Sequence, residues 1–175
     1  MKTKMKLEEF ELIHSDYWTS YLYLSGFMKN NSYLVKKYNT KCNEIQDISY
    51  PVIIKRRQKN LNISHYVETK EELSQISKNG LEHFVFEKPV NEERIIKAVF
   101  VKDRLYTYRN HSIIIVNQEI LEELYYLKDD IREICEIEIL PFNLIEKNNN
   151  TYIYDLDLSE YESSEIESIF KIKLI

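Results

Sequence analysis

The 175-residue chain carries 24 Lys and Arg against 29 Asp and Glu, a net charge of −5, with 43% hydrophobic and 30% charged residues. That balance excludes intrinsic disorder, and the length suits a single domain, residues 1–175, that buries its apolar side chains in one core. Gly26 and Gly80 are the only glycines, so neither a P-loop nor a G-x-G-x-x-G turn can be written; nucleotide chemistry by those routes is set aside and no cofactor is expected.

Lys2, Lys4 and Lys6 precede the acidic stretch Leu7-Glu8-Glu9-Phe10-Glu11, which is unlike the apolar centre of a secretory signal. No apolar run approaches the roughly 18 residues that a membrane span needs. A cytoplasmic location with no membrane contact is expected. Tyr17, Trp18, Tyr21, Tyr23 and Phe27 crowd into the next stretch. Core packing explains them, and a self-associating interface is the other reading.

Pro51-Val52-Ile53-Ile54-Lys55 reads as a short strand because β-branched residues cluster between polar flanks. Thr69 with Glu72 three residues on forms a capping box for a helix that carries Leu73 and Ile76 on one face and stops at Lys78-Asn79-Gly80. Residues 81–86 and 95–101 are strand candidates. Residues 104–116 read as a hairpin turning at Arg109-Asn110-His111, its second strand Ile113-Ile114-Ile115-Val116 fully buried near the sheet centre. Asn117 caps a helix with Ile120, Leu121, Leu124, Leu127 and Ile131 at helical spacing, while Glu119, Glu122, Glu123 and Asp130 face away. Residues 136–145 and 151–156 return to strand patterns around a turn at Lys147-Asn148-Asn149-Asn150. Ser159 and Glu162 make a second capping box ahead of Ile166, Ile169 and Phe170. Strands in runs with irregularly interspersed helices predict an α+β fold: a mixed, mainly antiparallel sheet with a few packed helices.

Candidate chemistry is sparse. Cys42 and Cys135 are isolated, as reduced thiols are. His14, His65, His83 and His111 occur singly, with no HExxH or Cys/His group, so no metal site is expected. No G-x-S-x-G elbow exists, and Cys135 between Ile134 and Ile137 reads as a buried thiol; no catalytic residue is assigned.

Charge is unevenly laid out. Residues 117–175 carry 5 Lys and Arg against 15 Asp and Glu, whereas residues 1–116 carry 19 against 14. Asp155, Asp157, Glu160, Glu162, Glu165 and Glu167 form an acidic run, to which the helix adds Glu119, Glu122 and Glu123. These nine are the candidate partner-binding residues, since a one-signed field speeds encounter with a basic partner. A solvated strand end and helix face explains the run equally well. The opposite patch, Lys55, Arg56, Arg57 and Lys59 with Lys36, Lys37 and Lys41 beside Tyr33 and Tyr38, could track nucleic acid. A sequence pI near 5.5 argues against that partner, and a charged strand edge that blocks aggregation accounts for the patch.

The stretch from Ile113 to Leu124, followed by Ile137-Glu138-Ile139-Leu140-Pro141-Phe142, resembles the small immunity proteins of bacterial polymorphic toxin systems. In these a strand leads through a polar cap into an amphipathic helix and then a strand ending near a proline. The resemblance covers about a quarter of the chain. It implies a non-enzymatic inhibitor that binds a cognate protein, a basic toxin domain, through its acidic surface. The alternative is an enzyme or nucleic-acid-processing protein that uses the basic patch at residues 55–59. A third reading is a structural domain that forms homo-oligomers through its tyrosine-rich stretch.

Overall fold

The β-branched run after Pro51 does form a strand, β2 (Val52–Arg56), and its neighbours assemble around it by pattern. In the computed structural model, residues 15–27, 34–39, 48–77, 83–134, 136–156 and 163–174 are described. The elements are α1 (Tyr17–Phe27), β1 (Lys37–Asn39), β2, β3 (Ser64–Val67), α2 (Lys70–Ser77), β4 (Phe84–Glu87), β5 (Ile95–Val101), β6 (Arg104–Arg109), β7 (Ser112–Ile113), α3 (Gln118–Ile134), β8 (Ile139–Lys147), β9 (Asn150–Leu156) and α4 (Ser163–Phe170). The fold is α+β. Its two sheets are antiparallel, a four-stranded one ordered β1-β4-β2-β3 and a five-stranded one ordered β7-β6-β5-β8-β9.

In the four-stranded sheet, Val52, Ile54, Val67, Phe84 and Phe86 are buried together beneath Leu73 and Ile76 of α2. The α2 capping box closes as expected: Glu72 N–H donates to Thr69 Oγ1 at 3.2 Å, while Glu68 N–H donates to Glu72 Oε2 at 2.8 Å. In the larger sheet, Ile96, Ala98, Phe100, Leu140, Phe142, Leu144, Ile153 and Leu156 face α3, whose Ile120, Leu124, Leu127 and Ile131 are fully buried against them. Ile120 N–H donates to Asn117 Oδ1 at 2.9 Å, so the expected cap of α3 forms. On the sheet's other face, Val99 and Tyr108 pack under Ile166 of α4. The apolar residues therefore divide among three clusters and not one core, because each sheet face needs its own cover.

Two hairpins turn where Asn tolerates a left-handed backbone: Asn110 and His111 (φ 47° and 61°) join β6 to β7, and Asn148 and Asn149 (φ 51° and 62°) join β8 to β9. The expectation of a buried central strand at Ile113–Val116 is corrected. The regular strand is limited to Ser112–Ile113, the short edge strand β7, after which Ile114 N–H still donates to the Thr107 carbonyl of β6 at 2.9 Å. Ile113 is 58% and Ile115 94% exposed; four successive β-branched residues mark β propensity but not burial. Glu123, expected to face solvent, is buried. The capping box at Ser159 and Glu162, along with Cys42, Cys135 and His14, lies outside the described residues.

Candidate functional site

The two sheets meet over a crevice, and antiparallel register decides which side chains enter it. Directly paired residues project to the same face. Lys37 pairs with Glu87, Glu87 with Ile53, and Lys55 with both Val85 and Ser64, so Lys37, Glu87 and Lys55 share the face turned away from α2. From the other sheet, Asn143 pairs with Asp155 whereas Leu144 pairs with Ile153. Tyr154 is thus the extra residue of a β-bulge. The bulge interrupts alternation: Ile153 and Leu156 both face the α3 core, while Tyr154 and Asp155 both turn to the crevice. Lys59 arrives from the 3-10 turn Lys59–Leu61 that follows β2.

These side chains form one charged network. Tyr154 Oη donates to Glu87 Oε1 at 2.5 Å, and Lys55 Nζ lies 2.5 Å from the same oxygen and also contacts Tyr154 Oη. Lys37 Nζ stands 3.8 Å from Glu87 Oε2 and 3.9 Å from Asp155 Oδ1. Lys59 Nζ donates to Asp155 at 3.0 Å (Oδ1) and 2.9 Å (Oδ2), and to the Leu156 carbonyl. Lys37, Lys59, Glu87, Tyr154 and Asp155 are all buried. Burial first, and then the Glu87 charge, raise the Tyr154 phenol far above its ordinary pKa, so it stays a neutral donor.

An aromatic lid covers the network. The Tyr17 ring centre lies 5.1 Å from Lys37 Nζ, 5.3 Å from Lys55 Nζ and 5.2 Å from Lys59 Nζ. Such distances let the ring's negative face offset the like charges. Asp16 holds Tyr17 there. Its carboxylate accepts the Thr19 N–H at 2.7 Å, which caps α1, and pairs with Arg57 through two contacts of 3.2 Å, while Tyr17 N–H donates to the Arg57 carbonyl at 2.8 Å.

Beside the network is a cavity of about 170 Å³ touched by Tyr17, Ile53, Lys55, Asn143, Tyr154 and Asp155. Val90, on the segment joining the two sheets, borders this cavity and also a larger hollow of about 440 Å³ with Leu34, Tyr38, Pro89, Ile145 and Tyr152. Val90 is the residue that the two hollows share, and Lys36, Lys88 and Lys147 also line the larger one.

The nine acidic residues expected to form a partner surface are scattered. Asp155 is buried in the network, and Glu123 is buried on α3; Glu119 and Glu122 are exposed at the start of α3. Glu165 and Glu167 are half-buried on α4, across the sheet from α3, with Glu167 Oε1 accepting the Leu174 N–H at 2.8 Å. Asp157, Glu160 and Glu162 lie outside the described residues. The basic patch is brought to the centre instead: Lys55 projects from an interior strand, not a sheet edge, and Lys37 and Lys59 join it. Glu87 and Tyr154 carried no sequence expectation of a site, and Tyr17 was expected in core packing or a self-associating interface, not beside lysines. A glutamate at the end of the buried run Phe84-Val85-Phe86 is the signal that was available.

No protein-family model matches the sequence, and no curated protein matches it. Solved structures do. The fold is that of ATP-grasp ligases. The chain is similar to the ATP-grasp ligase PsnB complexed with minimal precursor, Mg and ADP (TM-score 0.64, 11% identity, 98% of this chain and 58% of that one). It is also similar to N5-carboxyaminoimidazole ribonucleotide synthetase from Thermus thermophilus (TM-score 0.63, 11% identity, 83% and 45%) and to D-alanine--D-alanine ligase from Bacillus anthracis complexed with ATP (TM-score 0.59, 13% identity, 91% and 62%). The chain therefore spans about half to three fifths of the length of these structures.

This likeness corrects two expectations. The resemblance to immunity proteins is overturned, and with it the non-enzymatic toxin inhibitor, because a strand–cap–helix–strand pattern is shared by unrelated α+β folds and these two sheets match ligases. The alternative, an enzyme or nucleic-acid-processing protein using the basic patch at residues 55–59, fits these neighbours better. Glycine poverty argued against nucleotides only where backbone N–H groups cradle the phosphates; side-chain ammonium groups need no glycine. Among the described residues, no helix is long and apolar enough to cross a membrane.

Proposed function

We propose that this chain binds ATP in the crevice between its two sheets and supports ligase chemistry, in which ATP drives formation of a new bond. The observation that carries the reading is the convergence of Lys37, Lys55 and Lys59 around the Tyr17 ring, beside an inter-sheet cavity that Lys55 lines. A nucleotide's polyphosphate carries the negative charge that such a lysine cluster attracts. Ammonium groups in a partly dry crevice bind phosphate strongly and stabilise charge that shifts between phosphate oxygens during transfer. The fold shared with structures that hold ATP or Mg and ADP supports the same reading. It carries with it action in the cytoplasm, where ATP is supplied.

Calorimetric titration of the full chain with ATP and with ADP, each with and without magnesium, tests this. Saturable binding is expected, weakened at least about tenfold, or 1.4 kcal/mol, in Lys55→Met with unchanged circular dichroism. Absence of binding by the folded wild-type chain in every buffer rules the proposal out.

A further inference from the structure

We infer that the first turn of α1 is a gate. Tyr17 shuts Lys37 and Lys59 off from solvent, and the ion pair between Asp16 and Arg57 is the strap whose release opens the ammonium cluster. That the anion admitted is a nucleotide rests on the function proposed above; the gate itself does not.

The three lysines differ in access. Lys55 and Tyr17 line the cavity between the sheets, whereas Lys37 and Lys59 do not. Side-chain exposure is 18% for Lys55, 4% for Lys59 and 1% for Lys37. The Tyr17 ring lies against all three ammonium groups and is itself half-buried, partly in solvent and partly against the cluster.

α1 is anchored unevenly. Tyr23 and Leu24, towards its C-terminal end, are buried in the α3 core. Its first turn is held instead to the residues just after β2: Arg57 Nε and Nη2 each donate to Asp16 at 3.2 Å, Asp16 forms an isolated antiparallel bridge with Gln58, and Tyr17 N–H donates to the Arg57 carbonyl. Asp16 and Arg57 are both half-buried, so water competes for the pair, and ion pairs open to water contribute little net stability.

The closed arrangement is also under-satisfied. Lys37 Nζ and Glu87 Oε2 stand 3.8 Å apart, buried and without a hydrogen-bond partner. Leaving such groups dry is costly, and water or an anion admitted past Tyr17 offsets that cost. Ring contacts and strap hold the gate shut while the unpartnered groups press it open, so the closed and open forms lie close in free energy.

Acetylation of the full chain by acetic anhydride, read at each lysine by mass spectrometry, tests the gate without nucleotide. In wild type, exposed Lys36 is expected to label, and Lys37 and Lys59 to be protected like Lys128, which is buried on α3. Asp16→Asn keeps the α1 cap but removes one charge of the strap, and Arg57→Gln removes the other. In both variants labelling of Lys37 and Lys59 relative to Lys36 is expected to rise about threefold or more while Lys128 stays protected. Unchanged labelling of Lys37 and Lys59 in both variants overturns the inference, and so does a rise shared by Lys128, which would mean general loosening.

Stopped-flow association of ADP in magnesium with wild type and Arg57→Gln reads the gate from the ligand side. Losing a positive charge slows an anion if electrostatic steering alone sets the rate, whereas a released gate speeds it. Association about threefold or more faster in Arg57→Gln is expected. An equal or slower rate overturns the inference. If labelling rises as expected and ADP binds neither chain, the gate stands and the nucleotide-binding proposal falls.

Discussion

Tyr154 of one sheet donates a 2.5 Å hydrogen bond to Glu87 of the other. The contact crosses the crevice, and it exists because a β-bulge at Tyr154 turns that residue out of the α3 core. It joins a residue late in the chain to a strand 67 positions earlier.

Tyr154→Phe removes the donor but keeps the ring. Loss of a hydrogen bond to a buried carboxylate is expected to cost about 1.5–3 kcal/mol of stability, read from urea unfolding. A cost below about 0.5 kcal/mol would show that the contact contributes nothing net.

The same residue predicts an alkaline limb. Burial, followed by the charge of Glu87, raises the folded-state pKa of Tyr154 above the ordinary value of 10.0. Below that value both states are protonated and the full stability is present. Above it the unfolded chain releases the proton and the folded chain keeps it, so stability falls by up to about 1.4 kcal/mol per pH unit. The difference between wild type and Tyr154→Phe is expected to shrink between about pH 9.5 and 11, in urea series at each pH. A pH-independent difference would contradict the buried neutral phenol.

Asp155→Ala strips the partner from Lys59 and one of the two carboxylates near Lys37. Breaking a buried ion pair from one side is expected to cost about 3–5 kcal/mol. Asp155→Asn, which keeps shape and one acceptor, is expected to cost less. Equal unfolding midpoints for wild type and Asp155→Ala would mean that the lysines find water instead.

Asp16 has two separable roles, as cap of α1 and as partner of Arg57. Asp16→Ala is expected to lose about 1–2 kcal/mol, and Asp16→Asn to retain most of it, since asparagine caps as well as aspartate. An equal loss in both would assign the stability to the ion pair.

Ile115→Ser is expected to change stability by less than about 0.5 kcal/mol, because Ile115 is 94% exposed. Leu124→Ala, fully buried on α3, is expected to lose about 2–5 kcal/mol. Thermal unfolding of the two variants checks the correction made at Ile113–Val116 directly.

Much of the fold was legible in the sequence because its signals are local. Thr69 with Glu72 and Asn117 with Ile120 announce helix starts through bonds spanning three residues. The stripe from Ile120 to Ile131 announces a helix face, and the Asn148-Asn149 turn a hairpin. The lysines at 37, 55 and 59 were noticed as a basic patch, but linear spacing made them look like a charged edge. Chain order alone does not say that β2 lies inside its sheet.

By itself the sequence determined an α+β domain with antiparallel pairing, its capped helices and its lack of backbone phosphate cradles. Only the tertiary structure decided where the charge goes. Strand register turns Lys37, Lys55 and Glu87 to one face, and the bulge at Tyr154 turns Asp155 to meet them. Side chains 96 residues apart, such as Lys59 and Asp155, become partners because burial makes an unpaired charge too costly, and that constraint acts on the folded surface and not on the order of residues.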